Sequence, residues 1–294
     1  MRFEHHTWQL AHDRTLVLDR ARIMAIVNAT PDSFSDGGLY LDPDAAVAHA
    51  RQCIADGASI IDIGGESTRP GAQRIDAAEQ IRRTLPIIET LAGETDILIS
   101  VDTTRFAVAR AAIEAGAHVI NDVSAGTEDP DTLQVAAESG AGLILMHRLR
   151  PPDADSYSDQ YARPPHYDDV AAEVKAWLLT RAAAAMAAGV KRGQIVLDPG
   201  LGFGKTVEQN FALIAAVGEW HTTGFPVLSA ASRKSFIGRA TGVEAPADRV
   251  SGSVAVSVAH CLAGLRLFRV HDVAAHREAL DVAAKIAGSG GGPR

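Results

Sequence analysis

The residues of this chain that could do chemistry sit at the ends of short apolar runs. Asp62, Asp102, Asn121 and Asp198 offer carboxylate and amide edges inside apolar surroundings. A buried polar pocket binds only what satisfies it, so this set suits a flat heterocycle displaying several N–H donors and carbonyl acceptors. Lys234, Arg269 and His271 end two further runs and add cationic donors. They suit a phosphate or diphosphate, aided by the N-terminus of the helix after the last run. One such residue is ordinarily a satisfied structural group. Here all eight runs end in polar residues, and the set defines a site.

Those eight runs cover residues 23–30, 58–65, 96–103, 118–124, 142–147, 194–200, 225–232 and 267–272. Each is nearly continuously apolar in its middle, the pattern of a parallel strand buried on both faces. Ala-rich helical segments separate them, with their own punctuation. Asp42 before Pro43 opens the first and Gly57 closes it. Asp76 followed by Glu79 has capping-box spacing, and Gly116, Gly140 and Gly189 close later segments. Eight strand–helix units without a long polar linker predict an α/β chain folded as a (β/α)8 TIM barrel. In such a barrel the polar strand ends gather on one face, where sites form. Alternation over residues 3–20 predicts a leading β-hairpin, placed as a plug under the barrel. The expected division is hairpin extension 1–20, barrel 21–287 and disordered tail 288–294.

Composition excludes several classes. The net charge of −8 and pI near 5.7 do not suit a sequence-independent nucleic-acid binder, which needs a basic face. The chain has no signal-peptide core and no apolar run long enough for a membrane span. Cys53 and Cys261 lie in separate helical patterns and read as buried thiols of a reducing compartment. The expectation is a cytoplasmic protein. The histidines show no metal-ligand spacing, and His5-His6 read as surface residues. The stretch from Gly200 to Thr206 resembles neither a P-loop, whose first glycine would stand at Pro199, nor a dinucleotide fingerprint. It reads as a tight turn that lets backbone approach a ligand. Residues 148–166, with four prolines, form a loop too long to be a mere connection.

Longer motifs resemble a known family. Asn28-Ala29-Thr30-Pro31-Asp32-Ser33-Phe34-Ser35-Asp36-Gly37-Gly38 is similar to the first signature of dihydropteroate synthases. Asp62-Ile63-Gly64-Gly65-Glu66-Ser67-Thr68-Arg69-Pro70-Gly71-Ala72 is similar to the second. Asp198 to Lys205, Ser232-Arg233-Lys234-Ser235 and Arg269-Val270-His271-Asp272 resemble three more, in family order. The resemblance implies the same barrel and a Mg2+-assisted reaction. It joins p-aminobenzoate to 6-hydroxymethyl-7,8-dihydropterin diphosphate, giving 7,8-dihydropteroate and diphosphate, in an enzyme targeted by sulfonamides. It further implies that Asp102, Asn121, Asp198 and Lys234 hold the pterin, with Asp62 and Met146 beside it. Asn28 would support the metal, and Thr68, Arg69, Arg269 and His271 would meet the diphosphate. Phe34, Pro70, Phe203 and Ser232 would border the p-aminobenzoate site. Asp102, Lys234, Arg269 and His271 carry the catalytic expectation. Loops 30–39 and 66–74 would close over the site, and two copies would pair through their last helices.

Two positions and one stretch depart from the family pattern. Ala230 stands where relatives usually have Gly, and its methyl would crowd the pterin or shift the strand. Ala29 replaces a usual Val. Arg148-Leu149-Arg150-Pro151-Pro152 replaces a Met/Gly-containing stretch. Three other readings compete. A pterin-dependent methyltransferase would not need the Ser-Arg-Lys and Arg-Val-His elements. A Schiff-base aldolase would need Lys234 with a depressed pKa. A non-catalytic homologue would not need every charged site position filled.

Overall fold

In the computed structural model, residues 6–30 and 43–289 are described. Two short strands, β1 (His6–Gln9) and β2 (Thr15–Leu18), pair antiparallel as the expected hairpin. Eight parallel strands follow: β3 (Arg22–Asn28), β4 (Ile60–Gly64), β5 (Leu98–Asp102), β6 (Val119–Asp122), β7 (Gly142–Met146), β8 (Ile195–Asp198), β9 (Leu228–Ser229) and β10 (Leu267–Val270). Their order is β8-β7-β6-β5-β4-β3-β10-β9. A parallel bridge between Leu197 and Val227 joins the two outer strands, which makes the sheet a nearly closed barrel.

The surrounding helices are α1 (Pro43–Ala55), α2 (Ala77–Glu94), α3 (Phe106–Glu114), α4 (Asp131–Ser139), α5 (Val170–Ala187), α6 (Val207–Ala216), α7 (Ser235–Thr241), α8 (Val250–Leu262) and α9 (Val273–Ser289). The punctuation read from sequence acts as expected where it is described. Asp76 caps α2 by accepting from the Glu79 amide at 2.8 Å. The Glu79 side chain does not return the bond; it pairs with Arg82 and Arg83 instead. Gly57, Gly116, Gly140 and Gly189 adopt positive φ after their helices. Asp42 lies outside the described residues, as does most of the tail, while α9 runs through Ser289, past the expected boundary at 287.

Alternation along each strand sorts the core. Outward residues such as Ile61, Ile63, Val101 and Ile120 pack against the helices. Inward residues Met24, Ile60, Leu98, Val119, Ile144, Val196, Leu228 and Leu267 form a separate apolar layer inside the barrel. The hairpin seals that layer from below with Trp8, Leu10, Leu16 and Leu18. Trp8 is fully buried, and its indole N–H donates to the Gln194 carbonyl at 2.7 Å. This lower half of the lumen is filled, so a ligand has room only above it.

Candidate functional site

The same period of two brings Asp62, Asn121, Met146, Asp198 and Arg269 inward two residues beyond the apolar layer, and Asp102 four residues beyond it. Asp62 pairs in register with Ser100, Asp102 with Asn121, and Met146 with Asp198, which places these residues on neighbouring strands. Asp62, Asn121, Met146 and Asp198 are all at most 3% exposed, and Asp102 is 7% exposed. The carboxylate and amide floor expected from sequence is therefore one contiguous surface.

Arg269 belongs to that floor rather than standing apart on a rim. Its Nε donates to Asp62 Oδ2 at 2.6 Å and its Nη2 to Asp102 Oδ2 at 2.7 Å. Asn121 Nδ2 donates to the same Asp62 oxygen at 3.0 Å. Asp62 Oδ1 and Ser100 Oγ, both buried, have no protein partner. A buried acceptor left in that condition costs about 1–3 kcal/mol, which a donor-bearing ligand or water would recover. Burial pushes the Asp102 carboxyl up to about 7, although Arg269 pulls the other way. Burial likewise raises Asp198, against the pull of Lys234. Arg269 stays charged, because Asp62 and Asp102 outweigh its own desolvation.

The rim comes from the seventh and eighth strand ends. Arg233 adopts φ of 61°, a left-handed conformation costly for a residue with a Cβ. Its surroundings hold it there. Its amide donates to Ser253 Oγ at 2.9 Å, its carbonyl accepts from Arg249 at 3.0 Å, and its guanidinium pairs with both Asp272 oxygens. Asp272 is thus the partner of Arg233, not of Arg269. The turn sets Ser232 and Lys234 beside one cleft. Ser232 Oγ accepts from the His271 amide at 3.1 Å and lies 3.0 Å from His271 Nδ1. Lys234 donates to the Leu201 carbonyl and stands 4.7 Å above the Phe203 ring. Burial brings Lys234 down to about 8, against the attraction of Asp198. His271, desolvated and facing Arg233, Arg269 and Arg69, is pushed down to about 3. It is neutral at neutral pH, not the cation its residue type suggested.

These rim residues border a cavity of about 240 Å³. Asn28, Thr68, Arg69, Pro70, Phe203, Ser232, Lys234, Arg269 and His271 all line it. Phe34, and with it most of the 30–39 loop, lies outside the described residues. The 66–74 loop has its two ends tied together, since Arg74 pairs with Glu66 at 3.0 Å. Arg74 also pairs with Glu128 at 2.8 Å, which in turn meets Arg148 at 2.6 Å and accepts from Thr104 at 2.5 Å. Arg148, from the stretch that departs from the family, is therefore a buried structural partner.

The Gly200–Thr206 turn does what a tight turn should and is not a phosphate cradle. A Cβ at Gly200, where φ is 66°, would stand 1.9 Å from the His147 carbonyl oxygen, so only glycine fits. Lys205 is fully buried and turned away from the cleft. Its ammonium donates to the carbonyls of Gly200 at 3.0 Å and Phe203 at 2.8 Å, and reaches His147 Nδ1 at 2.9 Å. His147 itself faces outward, edge-on to Trp177. Sequence reading missed this buried lysine because motif spacing says nothing about side-chain direction. Two signals were available: His147 follows the inward Met146, and Lys205 ends the Gly-rich turn.

Among the described residues, no cluster of three or more His, Cys, Asp or Glu side chains could hold a metal ion. Asn28 nevertheless lines the cleft beside Arg69, Arg269 and His271. One amide oxygen is a donor set that fits Mg2+ only when the other ligands are water and substrate oxygens, the usual habit of that ion at phosphates.

Comparison with known proteins is consistent across sequence and structure. The model of a family described as pterin binding enzyme matches residues 24–271. The dihydropteroate synthase of Mycobacterium leprae is 46% identical over 271 residues, spanning 89% of this chain and 92% of that one. The solved Xanthomonas albilineans dihydropteroate synthase with 4-aminobenzoic acid superposes with a TM-score of 0.88 at 44% identity, covering 98% of this chain and all of that one. Yersinia pestis dihydropteroate synthase, solved with a sulfonamide drug complex, gives a TM-score of 0.88 at 38% identity, over 97% of this chain and all of that one.

Proposed function

The chain belongs to the dihydropteroate synthases of the pterin binding enzyme family, and we propose that its strand-end cleft divides the labour of that reaction among the residues described above. The enzyme condenses 6-hydroxymethyl-7,8-dihydropterin diphosphate with p-aminobenzoate, giving 7,8-dihydropteroate and diphosphate. The observation that carries the assignment of roles is the buried Asp62–Arg269–Asp102 bridge with Asn121 on the same carboxylate. It is a row of acceptors and one cation at the depth where a flat heterocycle must stop.

Asp102, Asn121, Asp198 and Lys234 hold the pterin ring, with Asp62 and Met146 beside it. Ring N–H groups replace Arg269 as donors to Asp102, and the released guanidinium turns toward the diphosphate. Arg69, Thr68 and His271 complete that anion site. The C–O bond to diphosphate breaks, its electron pair leaves with the diphosphate, and ring electrons spread the charge left on the methylene carbon. The carboxylate floor favours that cation, an electrostatic task suited to preorganised groups. The neutral amine then forms the C–N bond and loses its proton, so no strong base is required. Pro70, Phe203 and Ser232 border the amine, with Phe34 assigned there from sequence. Asn28 would hold Mg2+, which supplies charge neutralisation to the departing diphosphate when bound. Exposed Leu262, Val282 and Ile286 on α8 and α9 support pairing of two copies through these helices. The buried free thiols of Cys53 and Cys261 support a cytoplasmic setting. Among the described residues no helix is long and apolar enough to cross a membrane.

Incubation with the dihydropterin diphosphate, p-aminobenzoate and Mg2+ tests the assignment. Amine-dependent dihydropteroate formation is expected, with catalytic efficiency at least about tenfold lower in folded Asp102→Asn and Arg269→Ala variants. Wild-type turnover in both variants would overturn the roles.

A further inference from the structure

The 148–166 segment, which departs from the family pattern, is stapled to the site from both sides. The Pro152 carbonyl accepts from the Gly71 amide at 2.8 Å, next to Pro70. Asp155, 9% exposed, accepts from the Gly204 amide at 3.0 Å, next to Phe203. The same carboxylate accepts from the Tyr161 hydroxyl at 2.6 Å and the Ser156 amide at 2.9 Å. Ser158, 4% exposed, accepts from Asn210 Nδ2 at 3.0 Å. Between the two pinned residues stands Tyr157, 36% exposed and lining the same cavity as Pro70, Phe203 and Ser232.

An aromatic ring exposed to that degree contributes little to the core. Holding it between two hydrogen-bonded neighbours lowers the entropy lost when a ligand packs on it. We propose that Tyr157 is a specificity-determining residue for the aromatic amine, forming the outer wall of the p-aminobenzoate end of the cleft. The inference rests on the placement of that substrate argued under Proposed function. Ring-on-ring contact favours a flat arylamine, and the wall limits how far a para substituent can extend outward. The pterin floor, built from other strands, is untouched by it.

Steady-state kinetics of Tyr157→Ala and Tyr157→Phe test this, with both KM values measured separately. Tyr157→Ala should raise KM for p-aminobenzoate about three- to tenfold. KM for the dihydropterin diphosphate should not change. The variant should also gain efficiency for p-aminohippurate, whose substituent reaches beyond the carboxylate, relative to p-aminobenzoate. Tyr157→Phe should behave as wild type, because the ring and not the hydroxyl forms the wall. Unchanged kinetics in Tyr157→Ala would overturn the inference, and so would an equal rise in both KM values, the mark of a collapsed loop. Failure of the wild-type protein itself to form dihydropteroate would refute the underlying reading, which separates the two.

Discussion

Replacing Asp102 by Asn should stabilise the protein while crippling it. Burial pushes the Asp102 carboxyl up to about 7, against 3.8 for an ordinary aspartate. That difference makes the ionised form about 4 kcal/mol costlier in the folded protein than in the unfolded chain. The pH dependence follows from which state binds the proton. As pH rises from about 4 to about 7, the unfolded chain loses this proton while the folded protein keeps it, so folding stability falls across that window and levels off above it. Asn carries no such cost and keeps an oxygen for Arg269 Nη2, now 2.7 Å from the carboxylate. That cost already includes the attraction of Arg269, which opposes the burial. The expectation is a variant more stable than wild type by a few kcal/mol (on the order of 2–4) at pH 8, with most of that advantage gone at pH 5. Catalytic efficiency toward the dihydropterin diphosphate should fall about 10- to 100-fold, the value of one charge-assisted hydrogen bond made to the reacting ligand. The acid limb of the wild-type pH–rate profile near 7 should disappear with it. Urea denaturation at the two pH values, with parallel kinetics, measures all of this. A variant less stable than wild type at pH 8, or one with wild-type efficiency, would refute the reasoning.

Three further changes probe other parts of the molecule. Lys205→Met removes the donor that serves the Gly200 and Phe203 carbonyls; unfolding should become easier by about 2–4 kcal/mol, with a raised KM for p-aminobenzoate because Phe203 loses its anchor, and an unchanged melting temperature would contradict the role given to this lysine. Ala230→Gly should lower KM for the pterin substrate at about 0.5–1 kcal/mol of stability, since Ala230 is buried on the inner barrel wall; an unaltered KM would show that the methyl does not crowd the ligand. Trp8→Ala should cost about 3–5 kcal/mol by opening the lower seal of the lumen, with KM for both substrates retained in the folded fraction, and a calorimetric loss below about 1 kcal/mol would mean the hairpin is not a plug.

Much of the site was legible because a parallel barrel converts a one-dimensional pattern into a place. Continuous apolar runs identified β4, β5 and β7, which are buried along their whole length. Residues at their ends had to share one face, so the pattern alone groups Asp62, Asp102, Asn121 and Asp198. The signature resemblance then supplied the pterin and the diphosphate, which residue types alone left open as a heterocycle and an anion. β9 was less legible. The run 225–232 suggested a full strand, but only Leu228–Ser229 forms a strand, with a single bridge at Val227, because the chain turns early to bring Ser232 and Lys234 to the rim.

Side-chain direction and partnership were decided only by the tertiary structure. From sequence, Arg269 was one of the cationic donors suited to a diphosphate. In the fold, Arg269 lies across Asp62 and Asp102, while Asp272 pairs with Arg233. Lys205, in the Gly-rich turn, carried no assigned role, and it is buried against His147 and two carbonyls. Both outcomes have one cause. A long cationic side chain can reach several acceptors from a given Cα, and the one it meets depends on strands and loops distant in sequence. Composition, periodicity and motif order determined which elements form and which face carries the site. Packing decided which charges meet, which are desolvated, and that Tyr157 stands in the cleft, because those depend on distances between segments that no local pattern encodes.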